Sequence, residues 1–182
     1  MCIKSKVAIL GKSYSPKFEL LSEFLKMSFY NDSLLKVYTD NPQKQDEVGY
    51  EFISTEKLYK MFRYEKIRNI YTIDGFNYGI RYKQIRYAKI AVVTVDMLQD
   101  NEEFKDYAII YVDTEEEVHK NRIKKIKNVA EKRSLEEMMI QEEKLYTFSD
   151  RNKYDIIIKK NVILDKINLR NVVLYIQMML RK

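Results

Sequence analysis

Val7-Ala8-Ile9-Leu10-Gly11-Lys12-Ser13-Tyr14-Ser15-Pro16-Lys17-Phe18 reads as a buried strand running into a phosphate loop whose chemistry has been stripped out. The working pattern is G-x-x-x-x-G-K-[ST]. Its glycines let successive backbone N–H groups curl around phosphate oxygens, its lysine reaches the β- and γ-phosphates, and its hydroxyl holds Mg²⁺. Gly11 and Lys17 keep that spacing. Pro16 stands in place of the second glycine, Phe18 in place of the hydroxyl residue, and the aromatic Tyr14 lies inside the loop. Proline has no N–H to donate, and phenylalanine ligates no metal. The loop is a degenerate one.

Outward from the loop, short apolar runs alternate with helical periodicity. Lys17–Ser28 is expected to be a helix, with Phe18, Leu21, Leu25 and Phe29 at helical spacing. Leu34–Tyr38 reads as a strand after the turn signal Asn31-Asp32-Ser33, and Tyr50–Ile53 as extended chain leading to a helix capped by Ser54 or Thr55. Strands are expected over Lys66–Ile73 and Phe76–Ile80, then a short helix over Tyr82–Ala88. Lys89–Asp96 is nearly all apolar and β-branched, and Ala108–Val112 is a further buried strand. Helices follow over Thr114–Lys127 and Ser134–Phe148, then a strand over Tyr154–Lys159 and a closing helix over Asp165–Leu180. In that last helix Leu169, Val172, Val173, Ile176 and Leu180 share a face. Buried strands interleaved with helices predict an α/β fold with a parallel sheet covered on both faces. The sheet is expected to use Lys6–Leu10, Leu34–Tyr38, Lys89–Asp96, Ala108–Val112 and Tyr154–Lys159.

The 182 residues suit one domain, and the 46% hydrophobic fraction is enough for a real core. No apolar run approaches the ~18 residues of a membrane span, and Met1–Lys6 has no apolar signal segment. A cytoplasmic protein without membrane insertion is the expectation. Cys2 is the one cysteine, which excludes an intramolecular disulfide and a multi-cysteine metal site. The one histidine, His119, sits in a charged helical stretch and argues against a Ser-His-Asp or Cys-His triad. A net charge of +6 permits phosphates or an acidic partner, but both signs are mixed along the chain and no nucleic-acid recognition motif is present. No nucleic acid and no metal site are expected.

The order of these elements, and short strings inside them, resembles the guanylate kinase family from about Lys6 to Lys182. Gly11-Lys12-Ser13 is similar to the G-P-S opening of that family's loop, with Lys17 at its lysine. Thr39-Asp40-Asn41-Pro42 falls at T-T-R-x-P-R, and Asp46–Ser54 resembles a shortened G-E-x-x-G-x-x-Y-x-F-[VI]-S. Gly75-Phe76-Asn77-Tyr78-Gly79-Ile80 is similar to G-N-Y-Y-G-T, Val95-Asp96 to the end of D-I-D, and Tyr154–Ile158 to Y-D-Y-V-I. All four glycines of the chain fall inside these strings.

The resemblance implies a P-loop-NTPase-like single domain over 1–182: a core of 1–33 and 89–182, a small lobe of the type that binds nucleoside monophosphates over 34–88, and a short helical lid at about 120–133. It also implies a nucleotide site of Gly11, Ser13, Lys17, Tyr50, Asn69, Tyr78, Asp96, Lys124 and Lys125, with Lys17 the catalytic candidate. Tyr50 and Tyr78 match tyrosines that touch the acceptor phosphate, and Asn69 stands where a glutamate reads the guanine. The family's acceptor arginines are replaced by Asp40 and Gln43. A carboxylate facing a phosphate repels it. The expectation is a non-catalytic binding protein that takes a protein or peptide in its acceptor cleft and needs no cofactor. The alternative is a divergent nucleoside monophosphate kinase using ATP and Mg²⁺.

Overall fold

A computed structural model describes residues 5–12, 15–73, 75–113, 136, 140, 154–159 and 166–180. In chain order its elements are β1 (Lys6–Gly11), α1 (Lys17–Leu25), α2 (Ser28–Asn31), β2 (Val37–Thr39), β3 (Tyr50–Phe52), α3 (Thr55–Arg63), β4 (Tyr71–Ile73), β5 (Phe76–Ile80), α4 (Tyr82–Ile85), β6 (Ile90–Val92), α5 (Val95–Asp100), β7 (Tyr107–Asp113), β8 (Ile156–Lys159) and α6 (Lys166–Leu180).

β1 is apolar on both sides because both sides are covered. It lies inside a parallel sheet of order β6-β1-β7-β8, with Ile9 opposite Val92 on one neighbour and Ile110 on the other. Val7 and Ile9 meet Leu20, Leu21 and Phe24 of α1 and Leu169, Val173 and Ile176 of α6. Ala8 and Leu10 point the other way, toward Ile85 of α4, Met97 of α5 and Phe104. This is the α/β architecture expected of the sequence, a parallel sheet flanked by helices on both faces.

A second sheet, of order β3-β2-β5-β4, is mostly antiparallel; only the β2–β3 pair is parallel. Its inner face puts Val37, Tyr78 and Ile80 into the same core as Ala8 and Leu10. Its outer face is covered by α3, where Leu58 and Met61 pack with Tyr38, Ile53 and Ile67. Ser54 begins α3, its Oγ accepting the Lys57 N–H.

Five expectations about elements need correction. Leu34–Tyr38 does not join the parallel sheet: Leu34 makes one bridge to Ile90, and the strand proper, Val37–Thr39, belongs to the second sheet. The switch comes when the chain stops bonding to β6 (Leu35 N–H to Ile90 O, 2.9 Å) and Val37 N–H turns to Gly49 O at 2.8 Å. The first helix ends at Leu25 because Met27 is extended, and α2 starts afresh at Ser28. Of Lys66–Ile73 only β4 is strand; Glu65, at φ 53°, turns the chain so that Ile67 is buried under α3. Lys89–Asp96 breaks after Val92, since Thr94 caps α5 through an Oγ1 that accepts the Met97 N–H. Thr94 has strand propensity, but its hydroxyl is worth more at a helix start. The helix expected over Tyr82–Ala88 is the shorter α4. Its open carbonyl end is satisfied by the Tyr107 hydroxyl, 2.6 Å from both Ile85 O and Ala88 O, and by Lys6 Nζ donating to Arg86 O.

The lid region 120–133 and the helices expected over 114–127 and 134–148 lie outside the described residues, apart from Glu136 and Ile140, which are helical. No described helix is long and apolar enough to cross a membrane.

Candidate functional site

The site is built where β1 ends. Gly11 is required by a close approach: a Cβ there would overlap Ser15 Oγ and stand 3.1 Å from the Val112 carbonyl oxygen. The chain then turns, with Ser15 N–H donating to Lys12 O at 2.9 Å, and Pro16 starts α1 without any side-chain cap. Lys17 does not extend outward. Its Nζ donates to Gly11 O and Lys12 O, both at 3.0 Å, so the ammonium is folded back onto its own loop. Ser13, expected in the site, lies outside the described residues.

Phe18 fills the space beside the loop with a ring rather than a hydroxyl. Its centroid is 6.1 Å from that of Tyr50, which is in turn 6.3 Å from Tyr78 in an edge-on arrangement. Tyr71 sits opposite Tyr78 in the β4–β5 register. A ladder of aromatic rings therefore runs from the start of α1 across the inner face of the second sheet. Such pairs contribute roughly 0.5–1.5 kcal/mol each beyond area burial. Tyr78 is 7% exposed, and its hydroxyl accepts a hydrogen bond from Asn41 Nδ2 at 3.1 Å. Asn41 is itself committed: its Oδ1 accepts the Gln43 N–H and starts the turn Pro42–Lys44. Burial, aided by Tyr78 and Glu47 nearby, pushes the Tyr50 hydroxyl well above its ordinary value, so it stays neutral. Lys44 lies 5.3 Å over the Tyr50 ring while paired with Glu47 at 2.7 Å.

Asp40, at an arginine position of the resembled family, is a staple rather than an open carboxylate. Oδ1 accepts Asn77 N–H at 2.7 Å; Oδ2 accepts Asn77 Nδ2 at 2.7 Å and Thr55 Oγ1 at 2.8 Å. Burial acts to raise its pKa, but the hydrogen bonds from the Asn77 side chain and backbone and from Thr55 outweigh it, and the net shift is downward. The group is ionised at neutral pH and ties β2, β5 and α3 together.

Asn69 is exposed, and its Nδ2 donates to Asp100 Oδ2 at 2.9 Å. Beside it, Asn101 Nδ2 reaches the Tyr71 hydroxyl at 3.3 Å. Burial raises Tyr71 to about 12, against a lowering by the hydrogen bond from Asn69 and with a further rise from the Asp100 charge. Asp96, expected at the end of a buried strand, is instead in the first turn of α5. A carboxylate there complements the backbone N–H groups of the helix start. Lys124 and Lys125 fall outside the described residues.

The ring contacts thus connect Phe18, next to Lys17, with Tyr50 and Tyr78, and Tyr71 faces Tyr78 across the β4–β5 register close to Asn69. Sequence reasoning missed Asp100 and Asn101, whose only signal was their position shortly after a buried strand. Among the described residues no group of three or more His, Cys, Asp or Glu side chains could hold a metal ion. Of the described loop residues, Pro16 has no N–H to donate, Phe18 has no metal-ligating atom, and Lys17 is directed at loop carbonyls. A surface depression of about 390 Å³ lies elsewhere, lined by Lys6, Arg86, Glu102, Glu103, Lys105 and Asp106.

No family model and no curated protein matches this sequence. Solved structures do. A guanylate kinase from Anaplasma phagocytophilum superposes with a TM-score of 0.54 at 12% identity, over 97% of this chain and 85% of its own. A shikimate kinase from Bacteroides thetaiotaomicron gives 0.46 at 10% identity over 97% and 98% of the two chains. An uncharacterized protein from Eubacterium ventriosum gives 0.47 at 16% identity over 96% and 99%. The likeness to the first shows the fold alone: a parallel sheet flanked by helices, arranged as in that guanylate kinase.

Proposed function

We propose that this protein transfers no phosphoryl group and acts as a binding module, with a protein or peptide partner seated at the rim of the cleft. The observation that carries the reading is the Phe18–Tyr50–Tyr78 ladder, beside a Lys17 that is spent on loop carbonyls. Phosphoryl transfer depends almost wholly on positioning and electrostatic stabilisation. One lost preorganised donor typically costs about 3 kcal/mol of that stabilisation, or a factor of about 10²–10³. Both acceptor arginines, the metal-ligating hydroxyl and the second loop glycine are missing together. At the rim, half-buried Tyr50 and the neighbouring Lys44 supply the contact that a partner meets first. A tyrosine gives large contact area at small entropic cost.

The test is a turnover assay with Mg-ATP and a panel of nucleoside monophosphates, reading ADP. No ADP above the protein-free blank is expected with any acceptor. Acceptor-dependent ADP formation would return the protein to the divergent nucleoside monophosphate kinases.

A further inference from the structure

The second sheet is covalently joined to the parallel sheet at two places that lie side by side. Ser33 O, where the chain enters the lobe, accepts Lys89 N–H at 2.9 Å and Ile90 N–H at 3.3 Å, where it leaves. Leu35 N–H also donates to Ile90 O. Two adjacent crossings along one strand make a hinge line, and hinge closure about such a line is a common mode of lobe motion.

The core that Val37, Tyr78 and Ile80 share with Ala8 and Leu10 restrains that motion, and a further polar attachment at the far side of the lobe fixes its direction. Arg68, in the segment between α3 and β4, forks onto Glu103, with Nη1 to Oε2 and Nη2 to Oε1 both at 2.9 Å. The Glu103 side chain is 9% exposed, Arg86 approaches it at 3.8 Å, and the Arg68 guanidinium lies 4.8 Å over the Tyr82 ring. One residue on, Asn69 binds Asp100; two further on, Tyr71 accepts from Asn101. Asn101 is 3% exposed and also donates to Met97 O at 2.7 Å, which fixes its amide before the lobe arrives. All three partners lie in α5 or just after it, between β6 and β7 of the parallel sheet.

We infer that Arg68–Tyr71 is an interlobe clasp that holds the second sheet in one fixed orientation on the parallel sheet. The bidentate geometry gives it direction as well as attraction, and three contacts from one short segment leave no single soft pivot. The clasp does not depend on what the cleft binds. A consequence is that Asn69 is engaged by the protein itself, so a ligand reaching it has to compete with Asp100.

The test is an interlobe distance distribution by pulsed electron paramagnetic resonance. Spin labels go on Lys57→Cys in α3 and Gln99→Cys in α5, in a Cys2→Ser background. A single narrow distance is expected in the intact clasp. Glu103→Gln with Asp100→Ala should add a second, longer population. If the unclasped variant does not fold, Arg68→Ala alone, on an exposed side chain, gives the same reading. Two populations in the intact protein, or an unchanged narrow distance in a folded unclasped variant, would overturn the inference.

Discussion

Guanosine 5′-monophosphate is expected to bind this protein no more tightly than uncharged guanosine. A phosphate site with two arginines makes charge-assisted hydrogen bonds of roughly 1.5–3 kcal/mol each. That converts to a preference of about 10²–10⁴ for the nucleotide over the nucleoside. At those positions stand Asp40, ionised and saturated by Asn77 and Thr55, and an exposed Gln43. The Tyr78 hydroxyl accepts from Asn41 and keeps its own proton, so it offers a phosphate one neutral donor, which favours the nucleotide far less than an arginine would. Competition binding of the two ligands reads the ratio directly. A preference of a hundredfold for the phosphorylated form would mean that other cations, such as Arg81 or Lys44, had been recruited.

Phe24→Ala should cost roughly 3–5 kcal/mol of stability, the range for emptying a fully buried aromatic site. Phe24 has no exposed surface, packs edge-on against Tyr30 at 5.2 Å, and joins α1 to the Val7 and Ile9 side of β1. For a domain of this size the expected fall in melting temperature is on the order of 10 °C. Phe29→Ala, at a site 40% exposed, is the control and should move stability far less. Urea unfolding of both variants checks the contrast, and equal effects would count against the packing of α1 on the sheet.

The parallel sheet was legible because its central strands are buried on both faces, so β1 and β7 spell near-continuous apolar runs. The ends of elements were not legible, and the reason is specific. Thr94 and Met27 are neutral letters whose roles as a cap and a break depend on backbone conformation. The sheet that Val37–Thr39 joins is decided by partners at Gly49–Phe52 and Tyr78–Ile80, which no local pattern announces. At the candidate site, Gly11 and Lys17 were proposed from the spacing of the loop, and the two tyrosines from the family resemblance. The use of Asp40 could not be found in either way, because Asn77 lies 37 positions away and only the fold brings it within 2.7 Å. The same holds for Asn69 and Asp100, which are 31 positions apart.

Under the proposed function, the loop between β1 and α1 binds no Mg-ATP. Calorimetric titration of Mg-ATP into the wild-type protein tests it most directly, beside the double variant Pro16→Gly, Phe18→Ser. The wild type is expected to give no saturable heat, while the variant, with the N–H and the hydroxyl restored, is expected to gain measurable affinity. Micromolar binding of Mg-ATP by the wild-type protein would contradict the claim.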